Sequence, residues 1–153
     1  MSTPSKNFSY AVESEVAVIT FDMEGEPVNT IAPQISQEFE SLMTRAAADS
    51  SAKAIVFISG KKDTFIAGAK IDFLQTIKTA AEASSLSRQG QAGFDRLDAL
   101  DKPVVAAIHG ACLGGGHCYA RDHRAGRTPA VLAVRAHDRG DSRDPRLPPS
   151  PNE

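Results

Sequence analysis

Three short apolar runs, separated by segments with helical spacing, constrain the fold of this chain of 153 residues most strongly. The runs cover residues 16–21, 54–59 and 104–108. The second run is apolar at consecutive positions, which predicts a strand that helices bury on both faces. Alternation of strands and helices along a chain is typical of an α/β domain with a parallel sheet. We therefore expect an α/β fold.

Helical patterns occupy the segments between the apolar runs. Pro33 suits the first position of a helix, and the apolar residues after it recur on one face. That face comprises Ile35, Phe39, Leu42, Met43 and Ala46. We expect a short helix that extends through Leu74 and Ile77, and a longer helix over residues 82–100 that Lys102-Pro103 ends. The inward side chains of the longer helix would be Leu86, Phe94, Leu97 and Leu100.

The amino-acid composition changes abruptly after Gly116. Every Ile, Phe, Lys and Met of the chain lies within residues 1–116, whereas Arg and Pro are concentrated in residues 117–153. A segment with few apolar residues and many prolines does not offset its ordering entropy by burial, so we expect a disordered tail. Codons of the absent residue types are poor in G and C, and those of the abundant types are rich in them. This bias favours the hypothesis of a tail that is out of frame.

Charge and cysteine content exclude several function classes. The net charge of −2 offers no basic surface for nucleic acid, and no apolar run has the length of a membrane span. The polar N-terminus lacks the pattern of a secretory signal, and two cysteines predict a reducing, cytoplasmic location. The spacing of Cys112, His117, Cys118 and His123 matches no standard zinc pattern, so we expect no metal site.

Two turns rich in small residues are the candidate functional elements. Ala67-Gly68-Ala69 and Gly114-Gly115-Gly116 each follow an apolar run. Small residues let a ligand approach backbone N–H groups, and two such donors can stabilise an oxyanion. For either turn alone, a tight bend or close helix packing explains the glycines better. Neither turn has the lysine of a phosphate loop or the glycine spacing of a dinucleotide site, so ATP and NAD are not indicated.

Taken together, the two turns and their surroundings resemble the crotonase (enoyl-CoA hydratase/isomerase) superfamily. The resemblance rests on Phe65-x-Ala67-Gly68-Ala69-x-Ile71 and on the run from Lys102-Pro103 to Gly114-Gly115-Gly116. Residues 27–31 (Pro-Val-Asn-Thr-Ile) and 110–116 resemble, more narrowly, the N-terminal hydratase part of the bacterial fatty-acid oxidation complex α subunit. The resemblance covers about residues 8–116. It implies that residues 1–116 form the N-terminal part of a crotonase domain, a partial ββα spiral.

The resemblance also implies a site and a reaction. The two oxyanion-hole donors would be the backbone N–H groups of Ala69 and Gly115. Acyl-CoA would be bound by Ala67, Gly68, Ala69 and Ile71, and Asn29 would help to shape the coenzyme A site. The reaction of the family is hydration of a trans-2-enoyl-CoA to a 3-hydroxyacyl-CoA, with coenzyme A as part of the substrate and no separate cofactor. Intact relatives would form homo-oligomers or a fatty-acid oxidation complex.

The sequence departs from the family pattern after Gly116. Cys118 stands where the hydratases have their first catalytic glutamate, and residues 134–142 contain nothing that resembles the segment of the second. Asp138 and Asp141 lie nearby without the surrounding motif. We therefore expect a truncated crotonase that ends in a tail unrelated to the family, and whether it is an enzyme stays open. Uncovered apolar faces would give it marginal stability and a tendency to associate.

Three alternatives remain from the sequence. The chain is an active crotonase of another subtype, such as an isomerase, because the oxyanion hole is shared and the acid–base residues vary. It is a non-catalytic acyl-CoA-binding or subunit-interaction fragment. Or it is a damaged gene product without a function.

Overall fold

Six strands and three helices form the α/β architecture of the part of the chain that the computed structural model describes, residues 5–116. In chain order they are β1 (Phe8–Glu13), β2 (Val16–Phe21), α1 (Pro33–Ala48), β3 (Ala54–Ser59), β4 (Thr64–Ile66), α2 (Ile71–Leu74), α3 (Ala80–Asp98), β5 (Val104–Ala107) and β6 (Ala111–Cys112). The predicted α/β class is confirmed. The proposed domain boundary at Gly116 and the prediction of a disordered tail concern residues 117–153, which lie outside the described range.

The strands form two sheets that meet near the candidate site. The larger sheet has the order β1–β2–β3–β5, in which β1 is antiparallel to β2 and the other pairs are parallel. In the parallel pairs, Val16 lies opposite Ala54 and Ile55 opposite Val104. The smaller sheet consists of β4 and β6, which are also parallel.

A two-residue turn joins β1 to β2. Its residues, Ser14 and Glu15, both have a positive φ, 49° and 65°. This pair of left-handed residues matches the right-handed twist of the two strands, although a side chain at such a φ costs about 1–2 kcal/mol. The carbonyl oxygen of Glu15 accepts a 2.6 Å hydrogen bond from the Lys53 N–H, which holds the turn beside the start of β3.

The core lies between α1 and one face of the larger sheet. Phe39 of α1 contacts Phe57 of β3 at a ring-centroid distance of 4.7 Å, and Phe57 contacts Phe65 of β4 at 5.4 Å. The sequence predicted that β3 is buried on both faces, and in the described residues this is wrong. Ile55 and Phe57 are buried, whereas Val56 on the opposite face is only half-buried. No described helix covers that opposite face completely.

The C-terminal end of α1 is held by groups from two other elements. Lys102, in the segment before β5, donates hydrogen bonds through Nζ to the carbonyl oxygens of Ala46 and Asp49, at 2.8 and 2.6 Å. A cation at this end of a helix satisfies its last carbonyls and complements its dipole. The hydroxyl of Tyr10 in β1 donates to Asp49 Oδ2 at 2.7 Å, and the Arg45 guanidinium lies 4.2 Å from the centre of the Tyr10 ring.

The predicted helices and long strands are confirmed, with differences at their ends. The helix from Pro33 and the strands at 16–21, 54–59 and 104–108 form where expected, and the last of these ends at Ala107. α2 ends at Leu74 and does not reach Ile77. β1, β4 and β6 were not predicted. Of these, β4 and β6 are three and two residues long, too short to show a period of alternation.

The inward face predicted for α3 is only partly correct. Leu97 and Leu100 pack against the core, but both are half-buried, as are Leu86 and Phe94. α3 has no fully buried residue. The helix lies beside α1, to which it is joined by an ion pair between Arg96 and Glu40. Its apolar stripe is thus half covered within the described residues.

Candidate active site

The two glycine turns lie side by side because the strands before them pair. β4 leads into residues 67–69 and β6 leads into residues 113–116, and the two strands run parallel with Thr64 opposite Ala111. Parallel strands end at the same edge of a sheet, so their following turns emerge together. The Leu113 N–H continues the pairing with a 2.9 Å hydrogen bond to the Ile66 carbonyl oxygen. Pairing of the two turns was predicted only through the family resemblance.

Glycine is favoured in these turns for two different physical reasons. Gly68 and Gly114 have φ values of +102° and +53°, which side chains rarely adopt. Gly115 and Gly116 are restricted by contact instead. A Cβ on Gly115 would lie 3.0 Å from Ile31 Cδ1, and one on Gly116 would lie 2.8 Å from Ile66 Cβ. A Cβ on Gly114 would lie 3.4 Å from Gly68 Cα, so the two turns are in van der Waals proximity.

A third segment, residues 29–31, holds the first turn from its other side. The Ala67 N–H donates to the Asn29 carbonyl oxygen at 2.8 Å, and the Ile31 N–H donates to the Gly68 carbonyl oxygen at 2.8 Å. The Lys70 N–H then donates to the Ile31 carbonyl oxygen at 2.9 Å. These three bonds form a short parallel bridge that orders residues 67–70 before any ligand arrives. We call residues 67–70 the oxyanion loop, after the role that the sequence predicts for Ala69.

Four backbone N–H groups of these turns, those of Gly68, Ala69, Gly114 and Gly115, donate no hydrogen bond within residues 5–116. The N–H groups that follow the two pairs, those of Lys70 and Gly116, do donate. Ala69 is exposed and Gly115 is half-buried. An N–H group in such a position is available to an acceptor from outside the chain. Ala69 and Gly115 are the two residues for which the sequence predicted the oxyanion role, and that role stays a prediction.

Exposed apolar side chains flank both turns. Ile71 and Leu74 of α2 are 69% and 43% exposed, and Leu113 before the triple glycine is 57% exposed. Large apolar side chains at such exposure are available to an apolar group from outside the chain. Of the predicted acyl-CoA residues, Ala67 is half-buried, Gly68 is buried, and Ala69 and Ile71 are exposed. Their contact with acyl-CoA stays a prediction.

Asn29 lies in the interior, and its side chain does not reach the surface. It has no exposed area, and its amide is hydrogen-bonded to the last residues of β2 and β3 and to the middle residue of β4. Oδ1 accepts from the Met23 N–H at 3.0 Å, and Nδ2 donates to the Phe21 carbonyl oxygen at 2.8 Å and to Ser59 Oγ at 2.9 Å. A longer contact of 3.3 Å joins Nδ2 to the Phe65 carbonyl oxygen. Sequence reasoning placed Asn29 near the coenzyme A site but had no signal for these internal bonds.

Charged groups lie beside the site and are mostly paired. Lys70 Nζ lies 3.2 Å from Glu26 Oε1, and both side chains are well exposed. Lys61 Nζ pairs with Asp22 at 2.6 Å and donates to the Met23 carbonyl oxygen at 2.7 Å. Cys118, Asp138 and Asp141, named above in connection with the missing glutamates, lie outside the described residues, as do His117 and His123.

Neither a metal site nor a membrane span appears in the described part of the chain. Within residues 5–116, no three His, Cys, Asp or Glu side chains come together as metal ligands would. Over the same range, no helix combines the length and the apolarity that are needed to cross a bilayer.

The fold and the paired turns define a crotonase-type α/β protein, and comparison with known proteins gives the family. The chain belongs to the enoyl-CoA hydratase/isomerase family, whose model matches residues 11–121. This match extends a few residues beyond Gly116.

The similar proteins are much longer than this chain. The fatty acid oxidation complex subunit alpha of Idiomarina loihiensis is 52% identical over 112 residues, which are 72% of this chain and 16% of that protein. The protein of the same name from Shewanella baltica strain OS185 is 50% identical over 101 residues, 66% of this chain and 14% of that protein. The chain therefore spans less than a fifth of the length of these relatives.

Solved structures show the same fold. An enoyl-CoA hydratase from Thermoplasma volcanium superposes with a TM-score of 0.65 at 24% identity, covering 73% of this chain and 44% of that one. An enoyl-CoA hydratase from Bacillus anthracis superposes with a TM-score of 0.63 at 21% identity, covering 72% and 42%. At these identities the similarity defines the fold alone.

Proposed function

We propose that this chain binds an acyl-CoA thioester and polarises its carbonyl group through the N–H groups of Ala69 and Gly115. The observation that carries the proposal is the β4–β6 pairing, which brings the two turns together and leaves two unused N–H donors on each, among them those of Ala69 and Gly115. Two convergent, preorganised donors favour the enolate that forms when a nucleophile adds to an enoyl thioester. The names of the similar proteins support fatty acid oxidation as the process.

Hydration itself needs acid–base groups in addition to the oxyanion hole. The sequence offers Cys118 at the position of the first glutamate, so we propose that binding and carbonyl polarisation are retained whether or not hydration is. Coenzyme A would be part of the substrate, and we propose no separate cofactor. We also propose a cytoplasmic location and association with a fatty-acid oxidation complex, on the basis of the relatives' names.

Removal of one donor tests the binding site directly. Ala69→Pro eliminates that N–H, which the fold does not use, while Ala69→Ser retains it as the matched control. The probe is 2,4-hexadienoyl-CoA, whose absorbance shifts to the red when its carbonyl is polarised. We expect the shift with the unmodified chain and with A69S, and its loss with A69P together with about tenfold weaker binding, the effect of about one hydrogen bond.

The outcomes separate the three interpretations of the chain. Turnover of crotonyl-CoA would identify an active enzyme, and a bound-state shift without turnover would identify an acyl-CoA-binding domain. If calorimetric titration with hexadienoyl-CoA gives no binding by the folded chain, the proposal is wrong. A red shift that is unchanged in folded A69P would also contradict it.

A further inference from the structure

We propose that Asn29 is a positioning residue that places the Ala69 N–H in the oxyanion hole without touching the substrate. The proposal rests on the function proposed above and adds a residue whose action is internal. It is based on the complete burial of the Asn29 side chain and on the direction of its hydrogen bonds.

The side chain of Asn29 joins the ends of β2 and β3 directly, and the start of β4 through Ser59. Its Nδ2 donates to the carbonyl oxygen of Phe21, the last residue of β2, and to the hydroxyl of Ser59, the last residue of β3. The Ser59 hydroxyl in turn donates to the Thr64 carbonyl oxygen at 2.6 Å, at the start of β4. One buried amide and one hydroxyl thus define where β4 begins relative to the larger sheet.

The main chain of the same residue holds the oxyanion loop. The Asn29 carbonyl oxygen accepts from the Ala67 N–H at 2.8 Å, and the bonds from Ile31 to Gly68 and from Lys70 to Ile31 follow. The Asn29 side chain therefore holds one end of residues 29–31 in the interior, and the main chain of these residues is hydrogen-bonded to the oxyanion loop. A shift of that end moves the loop, and with it the N–H of Ala69.

The hydrogen-bonding groups around this side chain require an asparagine. They comprise one N–H donor, from Met23, and acceptors from Phe21, Ser59 and Phe65. An amide supplies one acceptor and two donors, whereas a carboxylate of the same shape supplies acceptors only. Asn29→Asp would therefore keep the bond from Met23 and place an anionic oxygen against carbonyl oxygens in a fully buried position. Oxyanion holes are sensitive to displacements of this kind because the donors must be in place before the reaction.

The test compares variants of the full chain by two readouts. The variants are Asn29→Asp and Ser59→Ala, and the control is Ser36→Ala, whose hydroxyl also donates to a backbone carbonyl but lies in α1, outside this network. The first readout is amide hydrogen exchange at Ala67 and Lys70, compared with exchange at Ile55, whose N–H is bonded to Pro103 and reports on the larger sheet. The second is the red shift of hexadienoyl-CoA per bound ligand, measured at saturation.

We expect N29D to exchange at Ala67 and Lys70 at least tenfold faster than the unmodified chain, with a smaller change at Ile55. The red shift per bound ligand should fall to less than half in N29D and by a smaller amount in S59A, and remain unchanged in S36A. If Asn29 only stabilised the fold, its replacement would increase the exchange rate at Ile55 as much as the rates at Ala67 and Lys70. The red shift per bound ligand would then stay the same. That pattern, in N29D or in S59A, would overturn the proposal.

The two proposals fail in distinguishable ways. If the unmodified chain does not shift the absorbance of the probe, the oxyanion function is wrong, and hydrogen exchange still decides whether Asn29 orders the loop. If N29D does not fold, S59A decides instead, because it removes one member of the network without burying a charge. If S59A increased the exchange rates at Ala67, Lys70 and Ile55 by the same factor relative to the unmodified chain, the positioning role would be refuted.

Discussion

At single positions in this fold, the choice of amino acid is restricted mainly by backbone contacts that cannot be seen in the sequence. Gly110, between β5 and β6, has a φ of +62°, and a Cβ there would lie 2.1 Å from the carbonyl oxygen of Asp63. The sequence showed that Gly110 belongs to the family-like run, but a contact with a residue far away in the chain becomes visible only in the folded structure. The internal bonds of Asn29 were hidden for the same reason.

Gly110→Ala is accordingly expected to destabilise the protein by at least about 2 kcal/mol, because the left-handed φ and the overlap with Asp63 both oppose a side chain. Gly90→Ala is the matched control. Gly90 lies in α3, where an added Cβ would meet nothing within 4 Å, so that change should stabilise the protein by about 0.5–1 kcal/mol. Urea denaturation measures both differences. Equal effects of the two substitutions would contradict this account of Gly110.

At the scale of elements, long apolar runs were easier to predict than short strands. The apolar runs of β2 and β3 are recognised by their length and by the turn residues beside them, and α1 is recognised by its helical spacing of apolar residues. β4 and β6 are too short to give such a signal, and their pairing depends on the turns around them. The partial exposure of α3 was also beyond prediction, since an apolar stripe shows which face can be buried and not how much of it is covered.

The end of α1 gives a prediction about pH. Burial and the hydrogen bond to Asp49 raise the pKa of Tyr10 from 10.0 to about 12, and hydrogen bonds from Ser51 and then Tyr10 lower the pKa of Asp49 from 3.8 to about 2. The raised pKa of Tyr10 contributes stability that is complete below pH 10.0 and is lost as the pH rises through about 12. The lowered pKa of Asp49 contributes stability above pH 3.8 that is lost as the pH falls through about 2.

Tyr10→Phe should therefore lower the free energy of unfolding by about 1 kcal/mol near neutral pH, because it removes the hydrogen bond to Asp49 and keeps the ring beneath Arg45. The difference from the unmodified chain should be constant between pH 3.8 and 10.0 and become smaller on the alkaline side of this range. Urea denaturation across this pH range measures it. A difference that grows at alkaline pH would show that the hydroxyl does not donate to Asp49.

At the scale of the whole molecule, the buried apolar residues of the described range form one core cluster. Every buried apolar residue of that range lies between Phe8 and Ile108, and α1 covers one face of the sheet. The family could be recognised from the two turns and their order along the chain. The extent of the domain could not, because residues 117–153 share no pattern with the described part.

A chain that is stopped after Gly116 tests the predicted domain boundary. We expect it to unfold cooperatively with a midpoint within about 4 °C of that of the full chain. In a domain of this size, the midpoint temperature shifts by about 4–8 °C for each kcal/mol of change in the free energy of unfolding. Thermal denaturation followed by circular dichroism measures the midpoints. Sedimentation of both chains tests the expected association through exposed Val12, Ile71, Leu74 and Leu113. Loss of the cooperative transition in the shorter chain would refute a boundary at Gly116.

The parallel register of the larger sheet has a consequence for the speed of folding. Only β1 and β2, among the described strands, can pair as soon as a short stretch of chain has left the ribosome. β3 must wait for α1 to be made before it meets β2, and β5 must wait for α3. The chain loses entropy when it closes such long loops, before the contacts between the strands can compensate, and this slows folding. During synthesis, the hairpin of β1 and β2 would thus be a nascent structure that exposes Ile19 and Phe21 to chaperones until β3 arrives.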